Sequence, residues 1–273
     1  MRIVTFNVNS IRKRLESGQI QYLVKKHQPD IIGLQETKVI DSEFPVSDIK
    51  NLGYDIIYFG QPTHYGVALM TRWKMVDSYK NFPDTGEDEQ RRLVGARFPL
   101  KNGKNLFVIN GYFPQGENRS HPIKFPYKKW FYSRLNQHLQ TEYSPKDYVC
   151  VIGDMNVAPQ DIDIGIGETN MKRWLQQGKC AFLPEERKML QELMQWGLND
   201  SYRLCHPNND DIFSWFDYRS RGFETNPRRG LRIDLITATD SLQKRCQNAG
   251  IDYDIRGMKV PSDHAPVWAD FDI

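Results

Sequence analysis

Seven short apolar runs, at 3–6, 31–34, 66–70, 106–109, 149–152, 233–237 and 267–271, recur from one end of the chain to the other, rich in Ile, Val, Leu and Phe. Each is of strand length and bounded by polar or turn-forming residues, so a β-rich scaffold is expected. Between some of them the apolar spacing turns helical, at 14–27, 127–139 and 184–196, and Pro184 followed by Glu185 and Glu186 suits a helix start. So many strands exceed one modest sheet. The expectation is an α/β (α+β) architecture of two packed sheets flanked by helices. No low-complexity linker or internal repeat divides the chain, so residues 1–273 are read as a single domain.

The ends of these runs carry the chemistry. The run ending at Phe6 leads into Asn7, that ending at Leu34 into Gln35 and Glu36, that ending at Ile109 into Asn110 and Tyr112, and that ending at Ile152 into Asp154 and Asn156. In the last third the order reverses: Asp234 opens one run, and Asp263 and His264 precede another. If the last two strands run antiparallel to the others, all six polar sets meet at one edge. A single strand ending in Asp or Asn is an ordinary turn signal, but six such endings are hard to assign to turns alone.

Glu36, Asp154, Asp234 and Asp263 at one site would repel one another unless a cation or raised pKa values relieved them. Oxygen donors dominate and cysteine is absent from the set, which favours Mg²⁺, or Mn²⁺ in its place, over zinc. Glu36 is the leading ligand; Asn7 either joins it or only orients it by hydrogen bonding. Ser262, Asp263 and His264 spell the letters of a hydrolase triad, but consecutive residues of an extended segment point apart. His264 therefore needs another carboxylate, and Asp234 is the plausible partner, favouring an imidazolium that can donate to a phosphoryl oxygen. Asp154 and Asn156, two apart, would face one side in extended geometry, a carboxylate for a water beside an amide for the phosphate. Tyr112 is either a phosphate contact or a packed aromatic.

Net charge is only +3, enough to permit nucleic-acid contact and too little to demonstrate it. Basic residues cluster at Arg12/Lys13/Arg14, Lys25/Lys26, Arg91/Arg92, Lys128/Lys129, Lys172/Arg173 and across 219–232, either as a phosphate-tracking surface or as ordinary solvated charge. The four cysteines, Cys150, Cys180, Cys205 and Cys246, show no zinc-site spacing, and no apolar run reaches membrane-spanning length. A reduced, cytoplasmic protein with no membrane partner is expected.

Ten motifs then give a family resemblance: FNVN at 6–9, GLQETK at 33–38, HYGVAL at 64–69, INGYFPQGE at 109–117, HPIKFP at 121–126, GDMN at 153–156, DIDIGIGE at 161–168, FSWFDYRS at 213–220, GLRIDL at 230–235 and PSDHAPVW at 261–268. Over essentially its whole length the chain resembles the exonuclease III branch of the endonuclease/exonuclease/phosphatase superfamily, Mg²⁺-dependent enzymes that repair abasic DNA. The resemblance implies a four-layered sandwich of two mixed sheets flanked by helices, with the site where the sheets meet. It also implies a monomer acting on double-stranded DNA that carries abasic sites or damaged 3′ ends.

Carried over residue by residue, the resemblance has Glu36 bind the metal with help from Asn7, and Asp154 activate or orient the attacking water. Asn156 and Tyr112 contact the phosphate, Asp234 pairs with His264, and Asp263 assists the metal or the leaving oxygen. Asp154, Asn156, Asp263 and His264 are thus further candidates for the surroundings of the ion. Trp215 and Phe216, with Arg219 after them, resemble the loop that packs near an abasic sugar, with Leu231 and Ile233 lining its pocket and Gln115 reaching the opposite groove. For Trp215 and Phe216 the bland alternative is core packing. Two departures stand out: Asn9 stands where the animal enzymes carry an aspartate, and the segment 225–229 is slightly longer and more basic than its counterpart in the best-known bacterial member. A phosphatase or sphingomyelinase of the same superfamily, and a binding module without catalysis, are the rival readings.

Overall fold

A computed structural model describes residues 1–83, 85–86 and 89–273. Along the chain the strands are β1 (Arg2–Asn7), β2 (Ile31–Gln35), β3 (Asp55–Phe59), β4 (Val67–Thr71), β5 (Asp77–Lys80) and β6 (Leu93–Pro99). They continue with β7 (Asn105–Tyr112), β8 (Tyr148–Asp154), β9 (Leu198–Asp200), β10 (Asp234–Thr239), β11 (Cys246–Ile251) and β12 (Val267–Phe271). Two six-stranded mixed sheets result, in the orders β11-β12-β1-β2-β4-β3 and β5-β6-β7-β8-β10-β9. Helices α1 (Ile11–Glu16), α2 (Gln19–His27) and α3 (Val46–Asn51) cover the first sheet, and α4 (Lys124–Glu142) and α6 (Pro184–Trp196) cover the second; α5 (Glu168–Gln176) lies beside the pocket described below. The four-layered sandwich expected from sequence is therefore present.

All seven apolar runs form strands, although helix α1–α2 is not the single helix expected over 14–27. Gly18, with φ 75°, turns the chain between the two pieces. The strands missed by periodicity include all four sheet edges, β3, β5, β9 and β11. An edge strand keeps only part of one face covered, so β5, β9 and β11 carry no long apolar run, whereas the Ile56–Phe59 run of β3 was present and went unrecognised. In contrast, Ile31, Ile32 and Leu34 of β2 are all fully buried, because helices cover one face and the second sheet the other.

Period-two alternation then explains where the polar ends point. In β1, Ile3 belongs to the core between the sheets and Val4 to the core under the helices, so Asn7, in step with Ile3 and Thr5, faces the opposite sheet. The same count carries Leu106 and Val108 to Asn110 in β7, Cys150 and Ile152 to Asp154 in β8, and Ile236 to Asp234 in β10. The seam between the sheets is apolar through the middle and polar at one edge. The two late strands are antiparallel to their neighbours: Asp234 stands opposite Asp154, and Val267 opposite Thr5. The condition for convergence is thus met.

Two of the converging groups serve the scaffold. Gln35 Nε2 donates to Thr5 Oγ1 at 2.9 Å and to Asn110 Oδ1, while Asn110 Nδ2 donates to the Leu34 and Ala68 carbonyls at 2.9 and 3.0 Å. This buried polar bridge joins the sheets where Gly33 lets them approach; a Cβ there would lie 2.6 Å from Ile152 Cδ1. The four cysteines are free thiols, and among the described residues no helix is long and apolar enough to cross a membrane.

Several of the basic clusters contain cations that never reach the surface. Arg14, Arg92, Lys128 and Arg232 are between 0 and 5% exposed, whereas Lys25, Lys26, Lys129, Lys172, Arg173 and Arg219 are exposed. Each of the four buried cations donates to a carbonyl or carboxylate inside the fold. The phosphate-tracking surface expected at these clusters accordingly loses these four residues and keeps the exposed ones, Arg12, Lys13, Arg221, Arg228 and Arg229 among them.

Candidate active site

At the polar edge of the seam, ligand atoms of Glu36, Asp154 and His264 lie within 4.8 Å of one another. Asn7 Nδ2 bridges the carboxylates, donating to Glu36 Oε1 at 2.9 Å and Asp154 Oδ2 at 3.0 Å. Asn7 thereby orients the two acids, and its own oxygen accepts the Asn9 amide. Glu36 departs from strand geometry, with φ 52°, and Lys38 two residues on reaches back to Glu36 Oε2 at 2.8 Å. Burial alone would raise the Glu36 carboxyl; Lys38, Asn7 and His264 outweigh it and hold the pKa below the usual range.

Asp154 is the opposite case. Burial and the charge of Asp234, with Glu36 adding to them, push it up to about 7, against the attraction of His264. His264 Nδ1 lies 2.8 Å from Asp234 Oδ2, the pairing expected from sequence, and His264 Nε2 is 3.8 Å from Asp154 Oδ2. Burial would lower the imidazole, but Asp234 and Asp154 prevail and raise it to about 10. Both ring nitrogens then carry protons at neutral pH, with Nδ1 donating to Asp234. Asp234 Oδ1 is buried without a hydrogen-bond partner among the described residues. Burial, then Glu36, raises Tyr112 well above an ordinary phenol.

Two local expectations need correction. Residues 262–266 precede β12 and are not strand; His264 makes only an isolated bridge with Trp215. His264 is turned towards Asp234 by this bridge and by its N–H bond to Ser262 Oγ, not by strand alternation. Asn156 likewise is not extended from Asp154: β8 ends at Asp154, and Asn156 has φ 52° with its N–H on Asp154 Oδ1 and its Nδ2 on the Phe113 carbonyl. The tight turn follows Gly153, φ 143°, where a Cβ would lie 1.9 Å from the Gly111 carbonyl oxygen.

Asp263 lies beside the cluster but is already engaged, Oδ1 accepting from Asn9 Nδ2 at 2.9 Å and Oδ2 from Trp215 Nε1 at 3.1 Å. Asn9 in turn accepts from Lys38 Nζ at 2.6 Å, so the residue that departs from the animal enzymes links Asp263 to the Glu36 side of the site. The carboxylates of Glu36 and of an under-compensated Asp154 fit a hard divalent cation. Glu36 and Asp154 are the acids that would hold it, with His264 at the rim.

Above the cluster opens a cavity of about 370 Å³, lined by Glu36, Tyr112, Asp154, Asn156, Asp263 and His264 on its polar side. Trp215, Leu231 and Ile233 line its apolar side, and Gln115 and Arg219 stand at it as exposed groups. Segments 213–216 and 230–233 are held together by paired backbone bonds between Trp215 and Leu231, and Ser214 Oγ accepts the Ile233 and Asp234 N–H groups. Phe216 is not part of this wall. It is fully buried against Phe213, Phe223 and Tyr253, as core packing requires. In the segment 225–229, Arg228 stacks over Phe223 and Tyr253, and Arg229 returns to Ser220.

Sequence reasoning missed Lys38, Trp174 and Lys179. Trp174 and Lys179 also line the cavity, with Lys179 Nζ 3.6 Å from the Trp174 ring centre. Lys38 stood two residues beyond Glu36 in GLQETK and was the findable one; Trp174 lies on α5, whose periodicity was not recognised.

Comparison with known proteins agrees with this geometry. Residues 4–264 match the family model described as the endonuclease/exonuclease/phosphatase family. Exodeoxyribonuclease III of Haemophilus influenzae is 50% identical over 271 residues, covering 99% of this chain and 100% of the relative. Among solved structures, a 3′ phosphatase from Neisseria bound to a product DNA hairpin superposes with a TM-score of 0.88 at 33% identity, over 100% of both chains. An AP endonuclease from Archaeoglobus fulgidus gives a TM-score of 0.88 at 33% identity, again over 100% of both chains. With the two-sheet sandwich and the acid–histidine cluster at its seam, these matches show that the chain belongs to the endonuclease/exonuclease/phosphatase family.

Proposed function

We propose that residues 1–273 form one catalytic domain, a divalent-metal-dependent DNA repair nuclease. It hydrolyses the phosphodiester 5′ to abasic sites and removes nucleotides or blocking groups from the 3′ ends of duplex DNA. The observation that carries this reading is the Glu36–Asp154–His264 cluster at the floor of a cavity of about 370 Å³ whose far wall is apolar. A sugar without its base suits such a pocket, and the missing base lowers the cost of turning it out of the helix. The relatives are named for exonuclease, phosphatase and AP endonuclease activities, all hydrolyses at a phosphate ester.

Mg²⁺, with Mn²⁺ as substitute, would neutralise the phosphate and polarise its oxygens when held by Glu36 and Asp154. Asp154 orients the water and takes its proton as oxygen attacks phosphorus and the bond to the 3′ oxygen breaks, the 3′ oxygen taking a proton from solvent. A 3′-hydroxyl and a 5′-phosphate remain. His264, kept protonated by Asp234 and Asp154, donates from Nε2 to the phosphoryl oxygen as charge gathers there. Asn156 and Tyr112 steady the phosphate, and Asp263 fixes Trp215 at the sugar wall. Gln115 and Arg219, both exposed, are the duplex contacts. The protein works as a cytoplasmic monomer.

The test offers an end-labelled abasic duplex and a recessed 3′ end with Mg²⁺. Cleavage of both is expected, with loss of both in EDTA. Cleavage that survives EDTA would refute the metal assignment, and hydrolysis of phospholipid with an untouched abasic duplex would favour the sphingomyelinase reading.

A further inference from the structure

Behind the cavity, and outside every group assigned above, lies a fully buried ion pair between Lys128 of α4 and Glu186 of α6, both 0% exposed. We propose that Lys128 is a positioning residue that holds the Asn156 turn and the Gln115 loop in register with the catalytic cluster, an inference that rests on the nuclease reading. Lys128 Nζ donates to the Asn156 carbonyl at 2.8 Å, to the Gln115 carbonyl at 3.3 Å and to Glu186 Oε1. All three ammonium protons are thereby used. One helical turn further on, Tyr132 donates its hydroxyl to the Met155 carbonyl at 2.7 Å. Residues i and i+4 of α4 lie on one face, so a single helix grips two consecutive carbonyls of the turn that follows Asp154.

Glu186 extends the clamp. Its Oε2 accepts the N–H groups of Ala181 and Leu183, each at 2.8 Å, while Ala158 N–H bonds the Ala181 carbonyl at 2.7 Å. One buried charge pair thus ties together four segments, and Gln115, Asn156 and Ala181 from three of them line the cavity. The loop at Gly116 is packed tightly against the pair: a Cβ there, at φ +86°, would meet Cys180 Sγ at 2.9 Å and Lys128 Cδ at 3.0 Å.

Two charges in a dry interior are costly to desolvate, and apolar side chains of the same volume often match them for stability. What apolar groups cannot do is donate to two carbonyls and accept two amides in fixed directions. The Asn156 turn needs that direction, because φ 52° is uncommon for any residue other than glycine, and although asparagine tolerates it best, the carbonyls on either side must still be held in place. A displacement of about 1 Å in such a group costs roughly 10²-fold in rate.

The experiment compares wild type, Lys128→Met, Lys128→Arg and Tyr132→Phe by steady-state incision of an abasic duplex in Mg²⁺, by thermal melting, and by amide hydrogen exchange. Lys128→Met is expected to lower kcat about 30- to 100-fold with KM within about threefold, and Lys128→Arg to recover most of that loss. Exchange should quicken in 153–158 and 114–117 and stay unchanged in the core of the first sheet. A folded Lys128→Met protein with wild-type kcat, or with KM alone altered, overturns the proposal. If Lys128→Met does not fold, Tyr132→Phe decides: a fall in kcat of about fivefold supports the clamp and an unchanged kcat overturns it. Should wild type fail to incise the duplex, the nuclease reading falls, while the exchange pattern still decides whether Lys128 holds the turn.

Discussion

The catalytic cluster and the charged layer behind it are both buried, and they differ in how fully their charges are matched. At the cluster, Glu36, Asp154 and Asp234 face only Lys38 and His264 as cations, Asp154 is pushed up to about 7, and Asp234 Oδ1 has no partner among the described residues. In the layer behind it, Asp163 accepts from Arg232 and Arg203 and also from the Gln160 N–H, Asp200 accepts from Arg232, and Glu186 is filled by Lys128 and two amides. The acids of that layer are matched without any added ion, although Arg232 Nη1 and Arg203 Nε are buried without a hydrogen-bond partner among the described residues; the acids of the site are not matched. An under-matched set of acids has room for a cation and a proton; a matched one only holds shape. Lys128 and Arg232, read from sequence as part of a phosphate-facing surface, belong to the second group.

The contrast is broken most severely at Asp154. Asp154→Asn should lower kcat for abasic incision about 10³- to 10⁴-fold, the range of a lost general base, while the melting temperature holds or rises. The rise is expected because a carboxylate repelled by Asp234 and Glu36 has been removed. A melting temperature lower by several degrees would show the site to be matched after all.

In the layer behind, the same kind of change should act on stability. Arg232→Met leaves Asp163 and Asp200 short of a buried cation and should cost about 3 kcal/mol in urea unfolding. Its kcat per folded molecule should fall much less than that of Asp154→Asn. A loss below about 1 kcal/mol would mean that Arg203 alone compensates Asp163.

Mg²⁺ should separate the two regions directly. At about a hundred times its dissociation constant it should stabilise the wild-type protein by about 2.7 kcal/mol, and EDTA should remove the gain. Glu36→Gln should abolish the response and Arg232→Met should keep it, with melting curves as the readout.

The smallest effect is expected at a fourth matched acid, Asp252, which caps Asp254 and Ile255 and faces His27 and Lys26. Burial would raise its carboxyl, but His27, Lys26 and the capped amides hold it down at about 2. A depressed carboxyl stabilises the fold above its unfolded pKa, near 4, and that stability is lost as pH falls towards 2. Asp252→Asn should therefore be about 1–2 kcal/mol less stable than wild type at pH 7, with the gap closing between about pH 4 and pH 2. A constant gap would place its contribution in packing.

How much was legible follows from these cases. All interior strands but β6, the helix opened by Pro184, and the pairing of His264 with Asp234 could be reached from local pattern and from the need of each group for a partner. The Ile56–Phe59 run of β3 could have been read; edge strands β5, β9 and β11 could not, because half-exposed strands lack the apolar runs that announce them. Nor could the left-handed turns at Glu36 and Asn156, which depend on what Lys38, Asp154 and Phe113 offer in space. Phe216 and Trp215 are adjacent in FSWFDYRS, yet one is fully buried and the other lines the cavity.

Residue types and their spacing alone determined the strand-built core, the reversed order of polar ends in the late strands, and the supply of acids, amides and one histidine for a metal-assisted site. Periodicity is a property of neighbours in the chain, and these features need nothing more. Tertiary structure decided which of those groups face the cavity and which are consumed in holding it: Gln35 and Asn110 bridge the sheets, Asn7 spans two carboxylates, and Lys128 disappears beneath the Asn156 turn. A side chain's task depends on the partners within about 3 Å of it, and those partners come from residues distant along the chain.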